Sequence, residues 1–425
     1  MIEFFRKNHN YLQAGFFLTF AASIGQTFYF ALYAGNIREE LTLSHGLYGG
    51  LYTIATLMSA FTMLYTGKMV DYIKVRYLSF TVLIFLGLSS IAFSLVNSAI
   101  FLLIVFYLLR ITGQGMSTHT SSTFIAKTFT TMRGKAVAVT VLGRAFGEMV
   151  MPITALLLIA FYGWRTAWII TGIFILFILA PYVFYLLKDR EVYEPDIENT
   201  SEKNKNSSVQ YRRKDVLKSG YFYLILAAVL APPFVLTGIF FHSYHLMTVK
   251  DWSIEIYALT MPVFSILLMI FVLISGWAVD KWSAKDLTRF FLLPLVIGCI
   301  ILAYGKSEAT MVTFMMFAGI TSGFATSIAG SLWAELYGTK YLGEIKSVVT
   351  SGVIASTALS PGLMGYLIDR DISIESQVIL VAIYMIILTG FMTFRGSKSN
   401  FEHILIFGCG LNCVSGHKFS KFENF

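Results

Sequence analysis

The chain has little charge. Charged residues make up 13% of its 425 residues, 56% are hydrophobic, and the mean hydropathy is +0.70. Soluble globular proteins carry about 25% charged residues, so this composition excludes a water-soluble protein. The long apolar stretches show little of the alternation found in membrane β-strands. The composition therefore predicts an all-α membrane protein whose chain crosses the bilayer several times.

Cysteine is also scarce, and no signal-peptide cleavage site is convincing. Three cysteines, Cys299, Cys409 and Cys413, give no disulfide framework. Cys409, Cys413 and His417 follow at intervals of four residues near the end of the chain, and we interpret this tail as unstructured, with a metal site as the alternative. The basic N-terminus is short and the apolar stretch after it is long enough to span, which predicts an uncleaved first helix.

The apolar stretches divide the chain into two similar halves. We predict twelve transmembrane helices at about 11–34, 47–66, 77–96, 99–123, 136–160, 164–187, 220–247, 254–276, 289–305, 308–336, 345–368 and 373–395. The segment 188–218 is rich in Glu, Asn, Ser and Lys and cannot bury a core, so it is interpreted as a solvated linker. The predicted organisation is a six-helix bundle at 1–187, the linker, a second bundle at 219–396 and a tail at 397–425.

The net charge of +8 follows from how the cations are distributed between the two sides of the membrane. With the N-terminus in the cytoplasm, 25 of the 32 Lys and Arg residues fall on cytoplasmic segments, five on outer loops and two within spans. Such a bias is the positive-inside signal of a membrane protein with both termini in the cytoplasm. The basic excess is therefore attributed to topology, and no nucleic-acid partner is expected.

One stretch occurs twice at an offset of 209 residues. Gly67, Asp71 and Arg76 in the loop between spans 2 and 3 correspond to Gly276, Asp280 and Lys285 between spans 8 and 9. The same offset carries Gly143 onto Gly352 and Pro152 onto Pro361, which indicates an internal duplication. We interpret both copies as charged latches between helices that rearrange; the alternative is a tight turn with solvated charges.

These stretches resemble the loop motif G-x-x-x-D-[RK]-x-G-[RK]-[RK] of the major facilitator superfamily, and the resemblance covers residues 8 to 396. Gly67, Asp71 and Arg76 match the motif, while Tyr72, Lys74 and Val75 depart from it. The resemblance implies two pseudo-symmetric six-helix bundles that transport by alternating access, with this motif steadying one of the alternating states. The stretch 335–343 resembles bacterial members near the monocarboxylate and oxalate–formate group, although span 8 lacks the Asp–Arg pair of the eukaryotic monocarboxylate carriers.

Span 4 contains Arg110, about halfway along its length. A charge inside a span faces a cavity or a partner because burying it in lipid is costly, so Arg110 is a candidate substrate ligand; snorkelling to an interface is the alternative. Its sequence is similar to the family's R-x-x-x-G motif, which implies a role in anion binding or proton coupling. Gln26 and Tyr29 of span 1 share one face, and they either line the cavity or join helix packing.

Span 5 combines a packing motif with a charged pair. Gly143 and Gly147 form a face for close helix packing, and Pro152 adds a kink site; Gly352 and Pro361 repeat the pattern in span 11, and we interpret all five as scaffold and hinge positions. Arg144 and Glu148 lie one turn apart between these glycines. They form either an ion pair that only neutralises two charges, or a proton-coupling site built on Glu148.

Span 7 carries Pro232 and Pro233 followed by His242 and His245. The prolines predict a bent helix, which is one way to expose polar backbone at a transport site. The two histidines share one face, and they either bind an anion or carry protons, or line the mouth of the cavity. A metal site there would need more ligands than this helix shows.

The sequence thus predicts a secondary active transporter, with no cofactor and no enzymatic site. Cations outnumber acids among the candidate cavity charges, which favours a small organic anion, such as a carboxylate, taken up together with protons. The other expected partner is membrane lipid, and the expected form is a monomer in a bacterial inner membrane. The alternatives are an efflux antiporter for amphipathic compounds, suggested by 38 Phe and 23 Tyr, and a receptor or scaffold on the same fold.

Overall fold

The computed structural model describes residues 2–129, 133–188, 211–338 and 341–396. The regular elements in these ranges are all helices, as the composition predicts. In chain order they are α1 (Ile2–Lys7), α2 (His9–Ala22), α3 (Thr27–Ala31), α4 (Ala34–Glu40), α5 (His45–Thr66), α6 (Met69–Tyr72), α7 (Val75–Ser94), α8 (Ala99–Leu109), α9 (Thr118–Thr128), α10 (Arg133–Phe174), α11 (Ala180–Leu186), α12 (Arg213–Val216), α13 (Gly220–Phe241), α14 (Ser243–Val249), α15 (Ile254–Trp282), α16 (Ala284–Leu287), α17 (Leu293–Tyr304), α18 (Ala309–Tyr337), α19 (Leu342–Ile368) and α20 (Ile374–Gly396).

Nine helices of the described chain are long and apolar enough to cross a membrane. One of them, 136–186, has 51 residues and bends at Gly163, whose φ is +79°, so it supplies two crossings. The short apolar helix α17 supplies another. The first crossing is broken into α2 and α3 by a 3₁₀ turn at Ser23–Gly25. These twelve crossings form two six-helix bundles, which confirms the predicted fold class. They are numbered in chain order, so that crossing 4 runs from α8 to α9, crossing 5 is the first part of α10, crossing 7 is α13 and crossing 11 is α19.

Crossings 1 and 4 are each interrupted where they meet. Crossing 1 contains the 3₁₀ turn, and crossing 4 contains a π-helix at Arg110–Ser117 that packs against it. A Cβ at Gly25 would overlap the Leu109 carbonyl oxygen, so only glycine allows this approach. π-helical turns are rare and occur mostly at functional sites. The two irregular segments therefore mark the middle of the first bundle as a place to look for function.

Each bundle has an aromatic core and an apolar exterior. In the first bundle, Trp168 is fully buried and its ring lies 4.2 Å from that of Phe93. In the second, Trp333 is buried against Phe222, with ring centroids 5.6 Å apart. Large hydrophobic side chains such as Phe177 lie exposed on the outside. An exterior of this kind fits lipid rather than water.

The bundles meet mainly through α5 and α19, and through α10 and α15. Contacts between α5 and α19 involve the first half of α5 and the second half of α19, from Thr53 and Ala358 to His45 and Asp369. We call this end of the molecule the closed end. The other end, which carries α6 and α16, is called the open end, because a cavity between the bundles extends toward it to Val141 and Ala329.

Prolines interrupt the helices near this cavity. Interior prolines occur in α10 (Pro152), α13 (Pro232 and Pro233), α15 (Pro262) and α19 (Pro361). Each removes one hydrogen bond of its helix, because proline has no N–H. The predicted bend of crossing 7 therefore belongs to a wider set of four proline-containing helices.

The linker and the tail fall largely outside the described residues. Residues 189–210 and 397–425 are not described, so the interpretation of 188–218 as a linker and of Cys409, Cys413 and His417 as an unstructured tail stays a prediction. The same holds for the exact bundle boundaries at 187 and 219.

Candidate functional site

A cavity of about 550 Å³ lies between the two bundles. The first bundle contributes a mainly polar wall from α2, α3, crossing 4 and α10, and the second contributes α13, α15, α18 and α19. Three charged side chains line it in the described chain: Arg110, Arg144 and Glu148. Its volume lies within the roughly 300–1,000 Å³ typical of small-molecule sites. The cavity is therefore the candidate binding site.

Arg110 is held at the start of the π-helix. The residue is 3% exposed, its Nη1 donates to the Gly25 carbonyl oxygen at 3.0 Å, and its guanidinium lies 5.1 Å from the centre of the Tyr52 ring. Its Nε has no hydrogen-bond partner in the described chain. Nor does any described carboxylate lie within ion-pair distance of it. A cavity-lining guanidinium thus keeps an unused donor and an unbalanced charge.

Arg144 and Glu148 form the ion pair that their spacing predicts. Arg144 Nε donates to Glu148 Oε1 at 2.9 Å, and the side-chain exposures are 50% for Arg144 and 6% for Glu148. Both residues line the cavity. The carboxylate is therefore buried behind a cation that faces open space. The pair can neutralise itself, and it can also separate when another anion approaches Arg144.

The structure brings some of the predicted substrate ligands to the cavity and places others elsewhere. Among the described residues, the lining includes Gln26 and Arg110 but not Tyr29, His242 or His245. The Tyr29 hydroxyl lies 3.3 Å from Thr171 Oγ1, inside the first bundle. His242 Nε2 donates to the Pro361 carbonyl oxygen at 2.8 Å. In this conformation Tyr29, His242 and His245 do not line the cavity, so the geometry does not support the ligand roles predicted for them.

The histidines instead belong to the closed end. The ring of His245 lies 4.2 Å from that of His45 in the other bundle, and His242 lies 6.1 Å from His45. Tyr48 of α5 stacks on Phe241 with ring centroids 5.0 Å apart. This aromatic contact seals the cavity from that end of the molecule.

Asp369 joins the bundles at the same end. Its two carboxylate oxygens accept hydrogen bonds from the backbone amides of His45 and Gly46, at 3.0 and 2.7 Å. Ser44 Oγ accepts from Leu47 N at 3.1 Å in the same turn. A carboxylate at a helix N-terminus satisfies free N–H groups and complements the helix dipole. The start of α5 is therefore capped by a side chain from the other bundle.

Sequence reasoning missed Asp369, although a signal was available. Gly365, Asp369 and Arg370 repeat the spacing Gly-x-x-x-Asp-cation of Gly276, Asp280 and Lys281, and Gly67 and Asp71 share its Gly-x-x-x-Asp part. A Cβ at Gly365 would overlap the His45 carbonyl oxygen, so this glycine lets the two helices touch. A third copy of the pattern thus lies at the closed end, where it does connect the bundles.

The first of the two predicted latches at the open end makes contacts within its own bundle. Asp71 pairs with Lys127, and Arg76 donates to the Phe184 carbonyl oxygen at 3.1 Å. Gly67 O lies 3.0 Å from His119 Nε2. In the second copy, Gly276 lies inside α15, Asp280 is exposed, and Lys285 is half-buried in α16. A contact of these residues between bundles stays a prediction for another conformation.

The glycines of crossing 5 lie against crossing 1. A Cβ at Gly143 would overlap the Phe16 carbonyl oxygen, and one at Gly147 would overlap Ser23 Oγ. Gly352 has looser surroundings, with Leu230 Cδ2 at 3.3 Å from the same position. Pro152 and Pro361 lie inside α10 and α19. Close packing in crossing 11 instead occurs at Gly362 and Gly365, against α5.

Three polar residues of crossing 4 were also missed. Gln114, Thr118 and Ser122 line the cavity together with Arg110. These four residues recur at intervals of four, a longer period than the 3.6 residues of an α-helix. A π-helical stretch, with its i→i+5 bonds, keeps such a stripe on one face. The strict four-residue spacing of polar side chains was the available signal.

Among known protein families, the model described as Major Facilitator Superfamily matches residues 15–308 and 257–404 of the chain. No curated protein is significantly similar in sequence. A bacterial homolog of the human lysosomal transporter Spinster, in an inward-facing and unoccupied conformation, has a similar fold at TM-score 0.70 and 13% identity, covering 95% of this chain and 98% of that one. The nucleoside transporter NupG is similar at TM-score 0.68 and 11% identity, covering 92% and 99%.

Proposed function

The chain belongs to the Major Facilitator Superfamily, and from that premise we propose that it is a secondary active transporter for a small organic anion. Transport proceeds by alternating access, with the two bundles rocking about the central cavity. The anion is a carboxylate bound in the cavity between the bundles. The closed end separates in the alternate state, while the open end closes.

The unbalanced charge of Arg110 carries this proposal. Of the three charges that line the cavity in the described chain, Arg144 and Glu148 neutralise each other and Arg110 remains. A buried cation without a partner is costly in a membrane. A carboxylate supplies the missing charge, and it can accept bidentate hydrogen bonds from a guanidinium.

The charge distribution supports an orientation for this conformation. Among the described residues, the open end carries cations of the predicted cytoplasmic loops, including Lys68, Lys74, Arg76, Lys127, Lys281 and Lys285. By the positive-inside rule the open end faces the cytoplasm. With this orientation the conformation is inward-facing, in a bacterial inner membrane with both termini cytoplasmic.

Proton coupling is assigned to Glu148. Bringing an anion into a cell against a negative-inside potential of 100 mV costs about 2.3 kcal/mol per charge, so the anion needs an accompanying cation. Glu148 is buried and its only described ion-pair partner is Arg144. A substrate carboxylate bound at Arg110 leaves the cavity neutral while Glu148 is ionised, and a proton that then binds Glu148 supplies the accompanying positive charge.

The first prediction concerns Arg110→Ala. In proteoliposomes supplied with radiolabelled mono- and dicarboxylates, wild-type protein takes up at least one carboxylate, and the variant loses about 10- to 100-fold of that uptake, since a hydrogen bond to a charged group contributes roughly 1.5–3 kcal/mol. Arg110→Lys keeps the charge but not the bidentate geometry, so it recovers only part of the loss.

The matched control is Lys306→Gln, which removes one cation from an exposed site away from the cavity. It leaves uptake at the wild-type level. Thermal unfolding of each purified variant separates loss of binding from loss of folding. Full uptake by a folded Arg110→Ala variant would contradict the proposal.

Efflux of amphipathic compounds is the second candidate function, because the wall contributed by the second bundle is largely apolar. It predicts that expression protects a drug-hypersensitive host while purified protein takes up no carboxylate. The two functions are thus distinguished by the same uptake experiment combined with a growth assay.

A further inference from the structure

We propose that the transported anion is an amphipathic monoanion, whose single carboxylate binds the first bundle and whose apolar body rests on the second. This inference deepens the proposed function and depends on it. It narrows the substrate from organic anions in general to monocarboxylates with a hydrophobic body.

The charges of the cavity are confined to one wall. Arg110, Arg144 and Glu148 all belong to the first bundle, as do the amide side chains of Gln26 and Gln114. The sum of the charges is +1 while Glu148 is ionised. In that state one carboxylate balances the cavity, and a second negative charge would exceed the balance in a medium that penalises uncompensated charge.

The opposite wall has no charged side chain within the described part of the second bundle. It is formed largely by Val229, Pro233, Leu236, Phe240, Met261 and Phe264. A ligand surface placed there gains free energy from leaving water if it is apolar. A second carboxylate placed there would lose its hydration without gaining a cationic partner.

The hydroxyl groups on this wall do not change that conclusion. Thr326 Oγ1 donates to the Ser322 carbonyl oxygen at 2.8 Å, and Thr357 Oγ1 donates to the Ile354 carbonyl oxygen at 2.9 Å. The protons of these two hydroxyls are thus already used within their own helices, as is usual for Ser and Thr inside helices. Thr237 and Ser322 also line this wall, but their hydroxyls are uncharged and cannot balance a second carboxylate.

The test compares four probes of matched chemistry in proteoliposomes: 3-phenylpropanoate, its uncharged amide, the dicarboxylate adipate, and acetate. We expect 3-phenylpropanoate to be taken up, or to compete, at least tenfold better than each of the others. Each methylene removed from contact with water contributes about 0.8 kcal/mol, which supports a tenfold preference over acetate from two buried methylenes alone.

A pair of substitutions on the apolar wall supplies a second readout. Leu236 lines the cavity and is largely buried. Leu236→Asn inserts an amide into the wall, so the preference for 3-phenylpropanoate over acetate falls about tenfold. Leu236→Met keeps an apolar side chain and retains the preference, which shows that polarity rather than mere disruption is responsible.

The outcomes distinguish a failure of the amphipathic monoanion as substrate from a failure of the proposed carboxylate transport. Preference for acetate or adipate over 3-phenylpropanoate overturns the amphipathic monoanion and leaves the carboxylate transporter standing. Equal handling of the amide and the acid removes the role of the carboxylate and overturns both. Uptake of none of the acids overturns the proposed function itself.

Discussion

Two adjacent glycines of α5 show how much depends on the position of a single residue. A Cβ at Gly49 would overlap the Pro361 carbonyl oxygen in the other bundle, whereas a Cβ at Gly50 meets nothing within 4 Å. Backbone atoms cannot rotate out of the way as a side chain can. Gly49 therefore sets how closely the bundles approach at the closed end, and Gly50 does not.

We predict that Gly49→Ala opens the closed end, because the added methyl group forces α5 away from α19. The distance between spin labels at Glu39 and Thr248, measured by pulsed EPR in a background lacking the three cysteines, shifts toward a longer population. Gly50→Ala leaves the distance unchanged and raises stability by up to about 1 kcal/mol, the helix propensity difference between Gly and Ala. Identical distance distributions for both variants would contradict this account.

The sequence predicted individual residues best where a local rule decides their place. The Arg144–Glu148 pair follows from spacing i, i+4 on one helix, and the burial of Arg110 follows from the cost of a charge in lipid. His242 was predicted as a ligand, but its ring bonds to the carbonyl of Pro361, 119 residues away in the chain. Such a partner depends on the packing of α13 against α19, which no local pattern specifies.

At the scale of the element, α5 depends on a cap from another helix. Burial raises the pKa of Asp369, but hydrogen bonds from Ser44, Gly46 and His45 outweigh that effect and hold the pKa below its ordinary value. The ionised form is thus favoured when the closed end is intact. Its contribution is complete above the ordinary pKa of an aspartate, and it is lost only as pH falls through the lowered value.

We predict that Asp369→Asn weakens the closed end. It removes the charge and one of the two acceptors at the N-terminus of α5, and such caps contribute roughly 0.5–2 kcal/mol. The open population seen by the same labels rises about fivefold. Asp371→Asn, two residues further on at an exposed site, changes nothing.

The pH dependence of this cap has a definite sign. Between pH 7 and pH 5 the Asp369 contribution stays constant, because its lowered pKa lies beneath that window. The wild-type closed end could instead open between pH 7 and pH 5, and the Asp369→Asn variant could lack this pH response. That result would show that the assignment of this carboxylate is wrong.

The sequence predicted the number and order of the crossings, because hydrophobic length alone decides whether a helix spans a membrane. It placed the glycine face of crossing 5 correctly on a single helix, since small residues at intervals of four define such a face. It did not show the break of crossing 4 into a π-helix. That geometry depends on the contact between Gly25 and Leu109 in the folded bundle.

At the scale of the whole molecule, one cavity and two ends must be coupled. The described conformation joins the bundles at the closed end through Asp369, the stacked pair Tyr48 and Phe241, and the Thr53 hydroxyl, which donates to the Ala358 carbonyl oxygen at 2.6 Å. Binding of substrate in the cavity has to favour the separation of these contacts. Only a ligand with different affinity for the two states can shift such an equilibrium.

We predict that Glu148→Gln uncouples transport from the proton gradient. A pH gradient that is acidic outside and alkaline inside accelerates carboxylate uptake by the wild-type protein. The variant cannot release a proton from this site, so its rate of substrate uptake is independent of the gradient. Exchange of labelled for unlabelled substrate persists, because exchange needs no net proton movement. Glu255→Gln, at an exposed residue of α15, stays gradient-dependent. A gradient response that survives Glu148→Gln would assign the proton to another group.

The interior prolines bear on how fast the molecule can move. Bending an uninterrupted helix stretches or breaks backbone hydrogen bonds, and that loss adds to the activation barrier. In α10, α13, α15 and α19 one or more of those bonds are already missing, because each interior proline has no N–H to donate. The four helices beside the cavity therefore bend most easily at their prolines, because fewer backbone hydrogen bonds have to stretch or break there.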